Sequence, residues 1–275
     1  MAHSPLSPGP HETRIRSLKS TFPMNETKRL AVITGCTSGI GEAIARHLLA
    51  SGYSVIGNGR NQQKLAELQD ELGEHFVPVA GDAADEAVIA SLFETADTRF
   101  GRPPDTVVAN AGRGLGGSVS NADLSQFREV LNINVTGTVF LLQKAAQVLM
   151  ERQKTRWPEQ AADIVLIGST VGRLISPFSS VYGATKFAVH ALAEGLRREA
   201  GPAGVRVTLV EPAIVVSGFQ KAAGYDHTLV ERFNNDFGPL LVPDDIARAV
   251  QYIVTQPPHV HVSDIMVRPT RQDYP

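Results

Sequence analysis

Apolar residues follow two alternating patterns from residue 29 onward. Short runs rich in valine and isoleucine, such as 30–34 and 205–210, have the length and composition of buried strands. In the longer stretches between them, apolar residues recur with the period of an amphipathic helix. The predicted strands are 30–34, 53–58, 75–80, 106–110, 163–168, 205–210 and 261–267, and the predicted helices are 39–50, 62–72, 85–100, 124–152, 179–200 and 242–254, the last capped by Asp244.

This alternation of strand and helix predicts the fold class. Repeated βα units form a parallel sheet covered by helices on both faces, and continuous apolar strands agree because such strands are buried on both sides. We therefore expect one α/β domain over 28–275, with a doubly wound parallel sheet. The segment 216–239 has weak periodicity and three glycines, and is predicted to be a mobile insert over the carboxyl edge, where ligands bind in this architecture.

Composition narrows the class of partner. A net charge of −2 provides no field that would hold nucleic acid or an anionic membrane, so we expect a small-molecule partner. No apolar run approaches the roughly 20 residues of a membrane span, and the single cysteine, Cys36, fits the reducing cytoplasm. Residues 1–27 are predicted to be a disordered tail. Their arginine and serine content leaves a transit peptide open, and Met24 is an alternative start.

A glycine-rich turn joins the first predicted strand to the first predicted helix. Glycines let the chain turn sharply and let a pyrophosphate approach the backbone. The helix N-terminus adds free N–H donors and a favourable dipole. Cys36, inside this turn, is expected to be a small packing residue rather than a reactive thiol. The predicted dinucleotide-binding residues are Gly35, Thr37, Ser38, Gly39, Ile40 and Gly41.

Three residues farther along the chain form a candidate catalytic group. Tyr182 and Lys186 are four residues apart in a predicted helix, which places them on one face. A tyrosine with its ordinary pKa near 10 is a poor base at neutral pH, and a neighbouring ammonium lowers that pKa. Ser169 ends a predicted strand, and its hydroxyl can donate to a carbonyl oxygen; Thr170 is the alternative. This set is suited to proton transfer at a carbonyl or alcohol.

The motifs resemble those of the short-chain dehydrogenase/reductase family over about residues 29–270. Residues 34–41 are similar to the family's T-G-x-x-x-G-I-G turn, and Ser169, Tyr182 and Lys186 have the spacing of its catalytic group. The resemblance implies a Rossmann-type fold and an oxidoreductase that transfers hydride between a nicotinamide and a carbonyl or alcohol. It also implies that Asn134 holds a water linking Lys186 to bulk solvent, with Asn132 as a nearby structural competitor.

The end of the second predicted strand favours NADP(H) over NAD(H). By the family's pattern, NAD-preferring members carry a carboxylate where Gly59 stands, and that group would bind the ribose hydroxyls. Arg60 follows, and a guanidinium can grip a 2′-phosphate with two parallel hydrogen bonds. By resemblance Asp82 lies near the adenine; helix capping is its other interpretation, a role that Asp85 could fill instead.

The resemblance extends to two further loops. The sequence 110–112 is similar to the family's N-A-G element beside the adenine ribose, with Ala109 in place of a second Asn. The sequence 212–217 is similar to P-G-x-V-x-T, with Ala213 for Gly and Ser for Thr, and implies binding of the nicotinamide carboxamide. The cofactor residues added by these two loops are Asn110, Ala111, Gly112, Pro212, Val215 and Ser217.

The residues disfavour two alternatives to this enzyme. A redox sensor that binds NADP(H) without turnover is disfavoured because the Tyr and Lys are retained. A nucleotide-sugar epimerase would need a larger C-terminal domain than the roughly sixty residues after Pro212 provide. The C-terminal end resembles that of bacterial dehydrogenases of 3-hydroxy acids such as serine, and a 3-hydroxy acid is therefore the first substrate hypothesis. Arg268 there could bind a carboxylate, although a salt bridge or subunit contact is as plausible.

Two expectations concern metals and assembly. His259 and His261 alternate with valine, and an ordinary strand face explains them better than a metal site, so no metal is expected. The long helices predicted at 124–152 and 179–200 resemble those that pair subunits in the family. A homotetramer or homodimer is therefore expected by analogy.

Overall fold

The computed structural model describes residues 28–225 and 227–274, and the predicted tail at 1–27 lies outside the described residues. The strands are β1 (Leu30–Ile33), β2 (Ser54–Gly59), β3 (Phe76–Ala80), β4 (Thr106–Ala109), β5 (Ala162–Ile167), β6 (Val205–Pro212) and β7 (Asp264–Val267). The α-helices are α1 (Gly39–Ala50), α2 (Gln62–Leu72), α3 (Glu86–Phe100), α4 (Phe127–Leu131), α5 (Gly137–Gln153), α6 (Ser180–Ala200), α7 (Phe219–Ala222), α8 (His227–Phe237) and α9 (Pro243–Val254).

The strands form one parallel sheet in the order β3-β2-β1-β4-β5-β6-β7. The chain builds outward from β1 in one direction through β3, then returns to pair β4 with the other side of β1. The predicted doubly wound α/β sheet is confirmed. In such sheets ligands bind outside the carboxyl ends of the strands, at the point where the winding reverses. Here that point lies between β1 and β4.

The core has two layers because alternate residues of each strand face opposite sides of the sheet. Leu30 and Val32 of β1 belong to the cluster that also contains the buried faces of α3, α5 and α6. Ala31 and Ile33 belong to the opposite cluster with α1 and α9. All four are fully buried, so the carboxyl end of β1 is held between two packed helical layers.

The helix predicted over 124–152 is interrupted. It consists of α4, a π-helical turn at Asn132–Thr136, and α5. Gly137 begins α5 where the chain passes close to the loop after β3, since a Cβ on it would lie 2.5 Å from the carbonyl oxygen of Ala83. The wider π turn is a common local adjustment at functional sites, and it places Asn134 inside the protein.

Two predictions near the C-terminus are corrected. Asp244 is not the cap of α9: Val242 is the N-cap residue, and its N–H donates to Asp245 Oδ2 at 2.8 Å, because Pro243 takes the first helical position. Asp244 Oδ1 instead lies 2.9 Å from His47 Nε2. The last strand is only Asp264–Val267, since its ladder with β6 covers no more.

The segment 216–239, predicted to be a mobile insert over the carboxyl edge, contains the helices α7 and α8. The apolar residues of α8 recur at helical spacing, but none is buried, and the helical pattern was not recognised within a glycine-containing segment. Within residues 28–225 and 227–274, no helix combines the length and apolar character needed to cross a membrane.

Candidate active site

A large cleft runs along the carboxyl edge of the sheet, where the loops after β1 to β6 meet. Its volume is about 800 Å³, within the usual range of about 300–1,000 Å³ for small-molecule and cofactor sites. All but two of the residues predicted for the site line this cleft. The exceptions are Gly41 and Asn134.

The glycine turn after β1 depends on two residues with positive φ, Gly35 at +68° and Gly39 at +55°. Gly41 has a different role. A Cβ on it would lie 2.3 Å from the carbonyl oxygen of Gly35, so a glycine lets α1 pack against the turn. The N-cap residue Ser38 makes no side-chain capping bond. Because the first N–H groups of a helix lack intrahelical partners, the turn suits an anionic ligand.

Cys36 lies in this turn with its side chain buried. Burial raises the pKa of its thiol to about 12, which keeps the group neutral at physiological pH. A neutral, enclosed thiol is a poor nucleophile. The structure therefore agrees with a packing role for Cys36.

The loop after β4 braces the glycine turn. Asn110 Nδ2 donates to the carbonyl oxygens of Thr34 at 2.9 Å and Gly35 at 3.1 Å. The backbone N–H groups of Asn110 and Ala111 donate to Thr34 Oγ1 at 3.2 and 3.1 Å. Both segments line the cleft. Asn110 thus fixes the shape of the turn through side-chain bonds that sequence pattern alone did not predict.

Arg60 lies at one end of the cleft, directly after β2. It is largely exposed, and its Nη1 lies 3.5 Å from Glu129 Oε1 on α4. Gly59 is packed against the glycine turn, since a Cβ on it would lie 2.4 Å from Thr37 Cγ2. Asp82 also lines the cleft, while its Oδ1 accepts from the Ala84 N–H at 3.0 Å.

Tyr182 lies at the opposite end, near the start of α6, and is buried. Its ring packs against Phe219 at a centroid distance of 5.6 Å. The Ser169 hydroxyl donates to the Pro212 carbonyl oxygen at 3.5 Å. Burial raises the pKa of Tyr182 above its ordinary value, with a smaller contribution from Tyr225, and the polar side chain of Ser169 opposes this rise. The phenol is therefore held in its protonated form at neutral pH.

Lys186 lies one turn further along α6 and is also buried. Its Nζ donates to the Ile167 carbonyl oxygen at 2.8 Å and lies 5.9 Å from the centroid of the Tyr182 ring. Burial lowers the pKa of Lys186 to about 8. The expectation that Lys186 lowers the pKa of Tyr182 is not met in this structure, because desolvation of the phenol outweighs other influences on it.

Asn134 is buried beside the cleft rather than in it. Its Oδ1 accepts from the Arg113 N–H at 2.8 Å, and its Nδ2 donates to the Arg113 carbonyl oxygen at 2.9 Å and to Thr185 Oγ1 at 3.0 Å. The side chain therefore ties the loop after β4 to α6. Asn132, its competitor in the sequence, lines the cleft.

His190, which was missed from the sequence, lies behind the loop that carries Ser169. Its Nε2 accepts a hydrogen bond from the Ser169 N–H at 3.4 Å. Glycines stand on both sides of the serine, because a Cβ at Gly168 or Gly172 would lie within 2.6 Å of the imidazole. Burial lowers the pKa of His190 to about 4, so the ring is neutral and can accept at Nε2.

An ion pair between a half-exposed arginine and a buried carboxylate supports the same loop. Arg173 donates to both carboxylate oxygens of Glu211, at 2.9 and 2.5 Å, and that carboxylate is almost fully buried. Glu211 Oε2 lies 3.9 Å from His190 Nδ1. The sequence signals for this arrangement were the two glycines flanking 169–171 and the acid before Pro212.

Two glutamines brace the loop after β6. Gln220 Oε1 accepts from the Ser217 N–H at 3.2 Å, and its Nε2 donates to the Val215 carbonyl oxygen at 2.7 Å. Gln272 Oε1 accepts from the Ile214 N–H at 3.3 Å. Both glutamines line the cleft together with Val215 and Ser217. Neither glutamine was predicted, because both bond backbone groups, which leave no pattern in the sequence.

The loop after β6 and helix α8 contribute aromatic side chains to the wall of the cleft. Phe219, Tyr225 and Phe233 line the cleft, whereas Phe237 does not and stacks on Phe233 at 6.3 Å. Arg268 does not line it either. Among the described residues, its buried Nε has no hydrogen-bond partner.

Comparison with known proteins gives consistent matches. The family model described as short chain dehydrogenase matches residues 29–227. The chain belongs to this family. A protein of Staphylococcus aureus (strain MW2), named as an uncharacterized oxidoreductase, is 33% identical over 244 residues, which are 88% of this chain and 98% of the relative.

Two solved structures resemble this short-chain dehydrogenase. A closed form of serine dehydrogenase complexed with NADP⁺ superposes with a TM-score of 0.81 at 30% identity, covering 89% of this chain and 96% of the other. A 3-ketoacyl-(acyl-carrier-protein) reductase from Brucella melitensis complexed with NADH gives 0.79 at 27% identity, covering 88% and 98%. The resemblance noted from the glycine turn and the Ser, Tyr and Lys residues is confirmed at the level of family and fold.

Proposed function

We propose that this short-chain dehydrogenase is an NADP(H)-dependent oxidoreductase that interconverts a carbonyl and an alcohol. The observation that carries the proposal is that one cleft holds Ser169, Tyr182 and Lys186 at one end and Arg60 at the other, with the glycine turn between. A dinucleotide has reactive and phosphate groups that need to be held at such separate points. The relative with bound NADP⁺ supports the choice of cofactor.

The residues present fit this cofactor. The two positive-φ glycines and the uncapped start of α1 leave a concave backbone surface for the pyrophosphate. Gly59 leaves no carboxylate at the end of β2, and Arg60 supplies a guanidinium for a 2′-phosphate. Val215 and Ser217 are proposed to hold the carboxamide end.

The chemistry follows from the protonation states of the side chains. When bound, the nicotinamide supplies hydride to the carbonyl carbon or takes it from the alcohol. Tyr182 gives its proton to the carbonyl oxygen during reduction, and burial keeps that proton in place at neutral pH. Ser169 orients the oxygen by hydrogen bonding. Lys186 is protonated below about pH 8 and lies beside Tyr182 on the same helix face.

The proposed substrate class is a 3-hydroxy acid and its matching 3-oxo acid. Similarity to serine dehydrogenase supports this class, as does the C-terminal sequence. Arg268 is not proposed as the carboxylate ligand, because it does not line the cleft. The partly apolar wall of Phe219, Tyr225 and Phe233 limits the bulk of polar substituents that the cleft accepts.

We also propose assembly as a homodimer or homotetramer in the cytoplasm. Exposed apolar side chains on α5 and α6, Val139 and Phe187, support a contact between subunits. The mass in solution, measured by light scattering, tests this part separately from the activity.

The activity is tested by following NADPH absorbance with a panel of aldehydes, ketones and 3-oxo acids. Tyr182→Phe should lower kcat by roughly 10²- to 10⁴-fold, because the proton donor is lost, while binding of NADPH persists. Tyr252→Phe is the matched control, since Tyr252 lies exposed on α9. Equal turnover by wild type and Tyr182→Phe would reject the assigned acid. NADPH binding without turnover of any substrate would favour a sensor instead, and tighter binding of NADH would reject NADP(H).

A further inference from the structure

Three charged residues form a small cluster at one end of the cleft, which we call the arginine end: Arg60, Arg113 and Glu129. Arg60 follows β2, Arg113 lies in the loop after β4, and Glu129 lies on α4. All three line the cleft. They come from three separate elements, so the pairing between them spans that end of the site.

Glu129 is shared between the two arginines. Its Oε1 lies 3.5 Å from Arg60 Nη1, and its Oε2 pairs with Arg113 Nη1. Arg113 is held further by Gln126 Oε1, which accepts from its Nη2. Among residues 28–225 and 227–274, Glu129 is the one acidic side chain within ion-pairing distance of Arg60. The contact to Arg113 is the closer of the two.

From this geometry we infer that Glu129 is a specificity-determining residue that competes with the cofactor's 2′-phosphate for Arg60. The inference rests on the proposed function, in which Arg60 grips that phosphate. Glu129 Oε1 approaches Arg60 through Nη1, and a phosphate gripped by parallel hydrogen bonds from Nη1 and Nη2 uses that same nitrogen. A phosphate bound in this way displaces Glu129 from Nη1, and Arg113 keeps the carboxylate paired.

Solvent exposure of Arg60 and Glu129 makes their pairing weak and the competition with the phosphate reversible. The side chains of Arg60 and Glu129 are 68% and 50% exposed, so solvent screens their attraction. Removal of such a pair should change ligand affinity by about two- to five-fold. A doubly charged phosphate then outcompetes one carboxylate, while the retained negative charge of Glu129 favours release of the phosphorylated ligand.

The alternative is that Glu129 only neutralises Arg113 on the surface of α4. In that case replacing Glu129 with glutamine would change no ligand preference at Arg60. Two probes distinguish the cases without any turnover. The probe 2′,5′-ADP carries the 2′-phosphate, whereas 5′-AMP lacks it.

The experiment measures calorimetric binding of both probes to the full chain at constant ionic strength. Glu129→Gln should tighten 2′,5′-ADP about two- to five-fold and leave 5′-AMP unchanged. The gain should disappear when Arg60→Ala is added, because the group under competition is then absent. Glu151→Gln is the matched control, since Glu151 is an exposed partner of Lys154 on α5 and does not line the cleft.

The possible outcomes test the role of Glu129 separately from the preference for NADP(H). Unchanged or weaker binding of 2′,5′-ADP to Glu129→Gln, equal tightening of both probes, or a gain that persists with Arg60→Ala would overturn the role of Glu129. Equal affinity of wild type for the two probes would reject the preference for NADP(H) itself. If wild type preferred 2′,5′-ADP but Glu129→Gln had no effect, the preference for NADP(H) would stand. Only the competition between Glu129 and the 2′-phosphate would be rejected.

Discussion

The ammonium of Lys186 donates a hydrogen bond to the backbone carbonyl oxygen of Ile167 at 2.8 Å. Ile167 is the last residue of β5, two positions before Ser169. Lys186 thus links α6 to the strand end that carries the serine. Among the described residues, no carboxylate lies within ion-pairing distance of its Nζ, and burial alone lowers its pKa to about 8.

Replacing Lys186 with methionine should separate activity from stability. We expect Lys186→Met to lower kcat by about 10²-fold or more, because the charge next to Tyr182 is lost. Its resistance to urea at pH 7 should equal or exceed that of wild type, since burying an unpaired ammonium costs free energy in the folded state. Steady-state kinetics and urea unfolding followed by circular dichroism measure the two effects.

The difference in free energy of unfolding between Lys186→Met and wild type should depend on pH with a defined sign. A folded-state pKa of about 8, below the unfolded value of 10.5, means that charged Lys186 destabilises the fold at and below neutral pH. This cost falls as pH rises from about 8 towards 10.5, where both states lose the proton. A Lys186→Met variant that is less stable than wild type at pH 7, or whose advantage grows with pH, would contradict this account.

His190 gives a prediction about the position of Ser169. His190→Leu removes the acceptor of the Ser169 N–H, and we expect kcat to fall by about two- to ten-fold, the usual value of one hydrogen bond. Binding of NADPH, measured by fluorescence, should not change. His190→Gln, which can accept through Oε1, should recover part of kcat.

The control for that experiment is His261→Leu, since the His261 ring also bonds a backbone group, the carbonyl oxygen of Val207, but does not line the cleft. An equal loss of kcat in both leucine variants would point to general destabilisation. A loss of NADPH affinity in His190→Leu would contradict a role confined to Ser169.

Much of the fold was predictable because its signals are local. The helix predicted at 62–72 matches Gln62–Leu72, since its apolar positions recur regularly and a glycine follows it. Parallel strands buried on both faces stand out as continuous apolar runs. The meeting of the glycine turn with Ser169 and Tyr182 then follows from topology, as parallel strands bring their carboxyl ends to one edge.

The features that were not predicted depend on contacts between residues that are distant in the sequence. The π turn before α5 lies next to the close approach of Gly137 to Ala83, which no local pattern records. The raised pKa of Tyr182 follows from burial under Phe219 and its neighbours, so the effect of Lys186 alone was a poor guide. His190 was missed because its acceptor role exists only where the loop of Ser169 passes over it.

Cofactor preference should be convertible only through a pair of substitutions. Gly59→Asp alone introduces a Cβ that would lie 2.4 Å from Thr37 Cγ2, so the side chain displaces the glycine turn. We expect that variant to bind both NADPH and NADH more weakly than wild type. With Thr37→Gly added, the carboxylate can accept from the ribose hydroxyls and repel a 2′-phosphate.

The double variant should therefore favour NADH over NADPH by about tenfold or more, the effect of one charge-assisted hydrogen bond. Thr37→Gly alone is the control and should keep the preference for NADPH, because Arg60 is unchanged. Fluorescence titrations with both cofactors measure each variant. If Gly59→Asp bound NADPH as tightly as wild type does, Thr37 would have moved aside at little cost. The steric argument for glycine at position 59 would then be wrong.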